Sequence, residues 1–368
     1  MNKQILQRYL IGMLTNFVSW KTNRKIVVFL SDDWGTIRTD SLKARTILEN
    51  AGINMNEFFD RYDSLERASD LEGLFDVLSS VKDKNGNPAV FTPLALPVNP
   101  DFKRLIANES SEYEYIKLPE LLNTHPGHEG TWKLWQEGIE RKLFMPQFHG
   151  REHMNVNILL EGIKNKDKNV LLNIENNSYS GLATKGYLST YGFKSTDELP
   201  NLKQSIEEGI QLFKVVFNFN PMHFTAPQGN YSCELEETLF LNGIKSLDTH
   251  RIKNEHLGDN LYKKKFAYTG MKNSSNQLYY IIRNCMLEQY AKSGIDWVDF
   301  CMYGIDSAFR MKTPAIISTH RVNFVGKIDP QNRDRGLKAL KQLLSQTIKK
   351  WPNVEFLSVE DLFDAIKK

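Results

Sequence analysis

Short apolar runs bounded by polar clusters alternate along the chain with longer stretches whose apolar positions recur every third or fourth residue. The first pattern predicts buried strands, the second amphipathic helices. Strands are expected at Lys25–Ser31, Ala89–Val98, Leu143–Phe148, Asn169–Ile174, Met222–Ala226, Gly243–Leu247, Leu278–Arg283, Pro314–Thr319 and Val354–Leu357. Helices are expected at Ser41–Asn50, Asn56–Val81, Trp132–Lys142, Leu202–Phe217, Cys233–Asn242, Val298–Arg310, Asp334–Lys349 and from Val359 onward. Repeated β–α units with polar residues just past the strands predict a parallel α/β barrel with its site at the strands' C-terminal ends.

Ahead of the first strand, Ile5, Leu6, Tyr9, Leu10, Met13, Leu14 and Phe17 share helical spacing. Residues 1–24 are therefore expected to form an amphipathic helix packed on the barrel, in preference to a membrane-interfacial anchor, and residues 25–368 a single barrel domain. The N-terminal apolar run is broken by Gln7, Arg8, Thr15 and Asn16, and no small-residue cleavage site follows. No apolar stretch is long enough to span a bilayer, so no transmembrane segment is expected. No repeat or Pro/Ser/Gly linker divides the chain, and 368 residues suit one barrel of about 250 residues or more.

Composition narrows the partners. The 47 Lys and Arg against 44 Asp and Glu leave a formal charge of +3, which gives no reason to expect a nucleic-acid partner. Cys233, Cys285 and Cys301 are too few and too widely spaced for a disulfide framework or a zinc module. They fit a reduced compartment, so a cytoplasmic location is expected.

Candidate chemistry gathers at the predicted strand ends. His149 and His153 form H-x-x-x-H, which would set two imidazoles on one face of a helical turn. The spacing alone also fits surface or core histidines. Asp32 and Asp33 follow the first strand, where two adjacent carboxylates repel and call for a metal or an arginine. Thr225-Ala226-Pro227-Gln228-Gly229 follows another strand, and Ser318-Thr319-His320 closes a late one. Two histidines and one aspartate leave positions open on a zinc-like ion.

With these motifs in this order, the sequence resembles the polysaccharide deacetylases, carbohydrate esterases built on a distorted (β/α) barrel of seven or eight units. The resemblance runs from Asp32 to His320. It implies that Asp32 is the general base and that Asp33, His149 and His153 hold one divalent metal ion, zinc first, with cobalt or nickel as alternatives. It makes His320 the general acid and Asp248, in Leu247-Asp248-Thr249, the aspartate that tunes that acid. Pro227, Gln228 and Gly229 match the substrate-groove motif. Arg283-Asn284-Cys285 and the run from Ser318 to Phe324 are similar to a divergent bacterial branch of the family.

Two departures stand out. Trp34 separates the Asp pair from Gly35, and Thr225-Ala226 replaces an arginine that normally pairs with the base. Trp34 is assigned to stack on a sugar face in preference to filling the barrel mouth, Arg151 or Arg38 to supply the missing charge, and Arg321 to contact substrate. His125-Pro126-Gly127-His128 looks like a metal pair, but Pro and Gly break the helix such a pair would use. Ser178–Phe193, with Tyr179, Tyr187 and Tyr191, is either a lid or a cover for the core. Three functions are open: a metal-dependent N- or O-deacetylase acting on a glycan or its sugar precursor, a degenerate barrel that binds carbohydrate or a partner protein, and a hydrolase of a non-sugar C–N bond.

Overall fold

The computed structural model describes residues 3–108, 112–182, 186–187, 189–259, 261–273, 275, 278–289 and 294–368, and the side chains from residue 9 onward. Its strands, in chain order, are β1 Lys25–Trp34, β2 Phe91–Ala95, β3 Val98–Pro100, β4 Tyr115–Lys117, β5 Gln147–Phe148, β6 His223–Thr225 and β7 Ser246–Asp248. They continue with β8 Ile252–Gly258, β9 Leu261–Phe266, β10 Tyr279–Ile281, β11 Cys285–Met286, β12 Ala315–His320 and β13 Val354–Phe356. One parallel sheet runs β10-β7-β6-β5-β2-β1-β12-β11, with β13 added beside the start of β1. This is the curled sheet of a distorted (β/α) barrel, the class expected. Its two edge strands, β10 and β11, are consecutive in sequence, so residues 282–284 cross the seam. Asn284 closes one side of that seam: its backbone N–H donates to Ile316 O (3.0 Å), and its side-chain oxygen accepts from Ile316 N (2.8 Å).

Register explains which residues face the interior. Val28 lies opposite Ile316, Leu30 opposite Ser318 and Asp32 opposite His320. Strand side chains alternate between faces, so the even positions of β1 and β12 share one side. Ile26, Val28 and Leu30 cluster with Ile281, Ile316 and Val359, Leu362 and Ile366 of the C-terminal helix. The odd positions Val27 and Phe29 join the larger cluster formed with the outer helices. Apolar burial on both faces is why β1 reads as an unbroken hydrophobic run. Beyond Leu30 the interior row turns polar, and that change places the site.

Several expected elements differ. Asn169–Ile174 is not a strand but part of a helix, Lys168–Glu175. Asp167 caps it, accepting from Asn169 N and Val170 N, and Val170, Asn173 and Ile174 form a buried stripe at helical spacing. The single helix expected over Asn56–Val81 is two, Phe58–Tyr62 and Ala68–Ser79. The break between them carries Asp63, Ser64 and Glu66 into the interior. Ala89–Val98 divides into β2 and β3, and β3 pairs antiparallel with β4. The antiparallel hairpin β8–β9 has no counterpart among the expected elements.

The N-terminal helix spans Lys3–Asn16. It lies on the helix Trp297–Arg310, where the Tyr9 hydroxyl donates to Asp306 (2.9 Å) and the Tyr9 ring meets Tyr303 edge-on. Leu10, Leu14 and Phe17, assigned by spacing to the packed face, are exposed instead. No helix of the described residues is long and apolar enough to cross a membrane.

Candidate metal centre

Adjacent strand residues ordinarily point to opposite faces, so Asp32 and Asp33 need a distortion to share one cavity. The β1–β2 register shifts between Ser31 and Trp34, and Asp33 adopts a left-handed φ of 71°. A bulge of this kind re-aims side chains at a functional rim. Both carboxylates then border a cavity of about 650 Å3 at the C-terminal ends of the sheet strands.

Strand β5 carries His149 into the same cavity just beyond its end. His153 follows in an irregular turn, so the pair does not lie on a helix as the spacing implied; the next helix begins only at Val156. His149 Nε2 is 3.3 Å and His153 Nε2 3.0 Å from the same Asp33 Oδ1. His149 Nδ1 meets the Thr225 carbonyl at 2.8 Å, and a carbonyl can only accept. That bond places a proton on Nδ1 and leaves Nε2 as the atom turned toward the carboxylate oxygen. Burial lowers the pKa of His153 against the pull of Asp33, which favours its neutral ring. Two imidazole nitrogens and a carboxylate oxygen that converge at such distances suit a cation between them. Asp33, His149 and His153 are the one such ligand group among the described residues, and all three are buried.

The charge beside Asp32 comes from Arg283, on the seam between β10 and β11. Its guanidinium donates to both Asp32 oxygens, Nη2 to Oδ1 at 2.7 Å and Nη1 to Oδ2 at 2.8 Å. Its Nε donates to Asp248 Oδ2 at 2.6 Å. Burial alone would raise the pKa of Asp32, but Arg283 and then His320 outweigh it and hold the carboxyl below its usual value. Asp248 is raised by burial, Arg283 notwithstanding. Asp248 thus rests on the arginine rather than on His320, which corrects its assignment as the group that tunes the acid. Arg283 occupies the place that neither Arg151 nor Arg38 takes. Arg151 binds Glu152 (2.7 Å) and stacks on Tyr113, outside the cavity lining, and Arg38 binds Asp60 (2.9 Å).

His320 closes β12 with Nε2 3.4 Å from Asp32 Oδ2. Its Nδ1 meets Glu288 Oε1 at 2.5 Å, and the other Glu288 oxygen accepts from the Asn323 side chain (2.8 Å). Burial would depress the His320 pKa, yet the charge and hydrogen bond of Glu288, then Asp32 and Asp33, push it up to about 10. The imidazolium is the stable form at neutral pH. Glu288, fully buried just past β11, carries no signal in the sequence because a two-residue strand leaves no periodic pattern.

The groove motif folds as a tight turn after β6. Gln228 and Gly229 have left-handed φ values of 58° and 69° and border the cavity, and a Cβ on Gly229 would come within 2.9 Å of His250 Nε2. Pro227 is buried behind them and does not line the cavity. Two other assignments are corrected by burial. Trp34 is fully buried between Trp135 and Phe144, with its indole N–H donating to Ser31 Oγ (2.8 Å), so no sugar can stack on it. Arg321 is fully buried and binds Asp63 and Glu66. Tyr179, Tyr187 and Tyr191 are buried in the core rather than displayed on a lid, although residues 183–185 and 188 of that loop lie outside the described residues. The Lys327 amine stands 3.3 Å from His125 Nε2 and 3.1 Å from His128 Nε2, where a cation bound by that pair would sit.

No family model and no curated protein matches the chain. Among solved structures it is similar to a probable polysaccharide deacetylase from Pseudomonas aeruginosa PAO1, with 10% identity, a TM-score of 0.48, and 92% of this chain and 90% of that one covered. It is also similar to a putative glycoside hydrolase/deacetylase from Parabacteroides distasonis, at 8% identity and a TM-score of 0.49, covering 94% and 71%. A third likeness is to a putative polysaccharide deacetylase from Mycobacterium smegmatis, at 11% identity and a TM-score of 0.45, covering 95% and 93%.

Proposed function

We propose that the protein is a metal-dependent hydrolase that removes N- or O-acetyl groups from a polysaccharide or its sugar precursor. The observation that carries this reading is the convergence of Asp33, His149 and His153 on one point, in a cavity that also holds Asp32 and His320. A divalent ion, zinc first, would be held by those three side chains and would supply the positive charge that polarises an acyl carbonyl and acidifies water. Asp32, kept ionised by Arg283, accepts the proton of the attacking water. His320, kept charged by Glu288, donates from Nε2 to the departing amine or alkoxide, which leaves poorly without a proton. Gln228 and Gly229 shape the wall against which the sugar ring lies.

The missing groove arginine and the inserted Trp34 would favour a degenerate, binding-only barrel. Arg283 supplies that charge from the seam between β10 and β11, which supports the hydrolase reading instead. The test is acetate release from N- and O-acetylated oligosaccharides, with small cyclic amides in parallel, in the presence of zinc, cobalt or nickel. Metal-dependent acetate release, abolished in Asp32→Asn with metal still bound, is the expected outcome. Turnover of cyclic amides alone would move the reading to a non-sugar C–N bond, and full activity in Asp32→Asn would remove the assigned base.

A further inference from the structure

Two exposed apolar elements rim the mouth of the cavity. One is the N-terminal helix, which turns Ile11 and Thr15 toward the cavity. Its outer stripe of Leu10, Leu14 and Phe17 recurs at i, i+4 and i+7, with Leu14 77% and Phe17 69% exposed. The other is the β8–β9 hairpin, which rises from the cavity-lining residues His250 and Arg251. All six residues of β9 are exposed, with Leu261 at 63% and Phe266 at 54%. The two elements adjoin. Trp20, just past the helix, donates its backbone N–H to Thr269 O (2.7 Å), and Ala267 N donates to Arg251 O (2.8 Å) across the hairpin base.

Charge is segregated in the same way. The N-terminal helix contains Lys3 and Arg8, and β9 contains Lys263, Lys264 and Lys265. These two elements hold five of the 47 basic residues and none of the 44 acidic ones, while the rest of the hairpin carries Glu255 on β8 and an exposed Asp259 at its turn. Lys265 turns back onto Glu255 (2.8 Å), while Lys263 and Lys264 remain on the exposed strand. Exposed apolar patches of this kind mark interaction sites. An apolar helical stripe beside a strand of three successive lysines matches the interface of an anionic bilayer. A second copy fits less well, since it would set basic segments against each other.

We propose that the N-terminal helix and the β8–β9 hairpin form a peripheral docking surface for an anionic lipid membrane. Leu14, Phe17 and Phe266 enter the headgroup boundary, and Lys263 and Lys264 face lipid phosphates. The cavity mouth then opens toward the headgroup layer, which, on the hydrolase reading above, selects a lipid-borne saccharide over a freely diffusing one.

The test is co-sedimentation of the full chain with vesicles of phosphatidylcholine alone and of phosphatidylcholine with phosphatidylglycerol, at low and high salt. Leu14→Glu/Phe17→Glu and Lys263→Glu/Lys264→Glu are compared with the parent, with thermal melting to check that each is folded. Affinity for the anionic vesicles should exceed that for the neutral ones by at least about tenfold, fall with salt, and drop at least about tenfold in each folded double variant. A parent chain that ignores both vesicle types would overturn the proposal, and so would double variants that bind as the parent does. Light scattering that shows a dimer, dissociated by Leu14→Glu/Phe17→Glu and indifferent to lipid, would assign the patch to a second copy. Vesicle binding is read without turnover, so its failure leaves the hydrolase reading standing, and loss of that reading leaves docking intact.

Discussion

Two buried arginines each bridge a pair of carboxylates at the C-terminal end of the sheet, and they do different work. Arg283 spans Asp32 and Asp248 on the cavity wall, with 12% of its side chain exposed. Arg321 spans Asp63 and Glu66, with 0% exposed, and also donates to the Thr36 carbonyl. The first pair keeps Asp32 ionised and open to the cavity. The second ties the break between helices Phe58–Tyr62 and Ala68–Ser79 to the end of β12. His320 is the last residue of β12 and borders the cavity, whereas Arg321 opens the 3-10 turn that follows and lies outside the cavity lining. The chemistry of an ion pair does not tell reagent from scaffold; access to the cavity does.

Replacing Arg321 should give the largest effect and the clearest contrast. Arg321→Met leaves Asp63 and Glu66 buried without a counter-charge, and a cost of about 3–5 kcal/mol is expected in denaturant unfolding. Activity per folded molecule should survive where enough protein folds. Arg283→Met should do the reverse, lowering kcat by about 100- to 1,000-fold, the scale of losing a group that orients charge at a reacting centre, at a smaller cost in stability. It should also raise the Asp32 pKa, moving the acid limb of the rate profile upward. If both variants unfold equally and both spare activity, the distinction between the clusters is wrong.

Strand ends decide how much was legible. Asp32, Asp33, His149, His153, Asp248 and His320 all lie at or just past the C-terminal ends of strands, and all border the cavity. A barrel gathers its strand ends, so local sequence position is enough to nominate them. Arg283 and Glu288 also follow strands, but the partnerships they make depend on barrel closure. Arg283 reaches Asp32 across 251 positions because β10 and β11 are the two edges of one sheet. No spacing rule reports that. Trp34 failed differently: its place beside the Asp pair resembled a sugar platform, while the bulge at Asp33 turned it into the aromatic cluster of Trp135 and Phe144. Asn169–Ile174 failed because a short apolar run fits either a strand or a buried helical turn.

Glu288→Gln sharpens the comparison with a smaller effect. The substitution keeps a hydrogen-bond partner for His320 but removes its main counter-charge, so the imidazolium loses support at neutral pH. The acid must be protonated to act, so activity falls as pH rises through its pKa. In the parent that limb lies high, with His320 pushed up to about 10. In Glu288→Gln it should move to lower pH, with kcat reduced by about 10- to 100-fold near neutrality. A rate profile identical to the parent's would make Glu288 a structural partner only.

The smallest effect calibrates both clusters from outside the site. Glu355 on β13, at the opposite end of β1 from Asp32, accepts from Arg24 Nε and Nη2 at 2.9 and 2.8 Å and lies 3.0 Å from Lys84. The hydrogen bond from Arg24 leads the causes that lower its pKa to about 2 from 4.5, against the opposing effect of burial. A carboxyl with a depressed folded pKa contributes stability that is present above its unfolded value and lost as pH falls toward the folded one. Glu355→Gln should therefore cost a constant increment at neutral pH, and the gap from the parent should narrow between about pH 4.5 and 2. Arg24 is 44% exposed, so screening limits that increment to about 1 kcal/mol. Urea unfolding of parent and variant across this range measures it. A gap that stays constant to the lowest pH would mean that the pair holds Glu355 by shape rather than by charge. A gap as large as that of Arg321→Met would mean that burial is not what separates the sealed cluster from the rest.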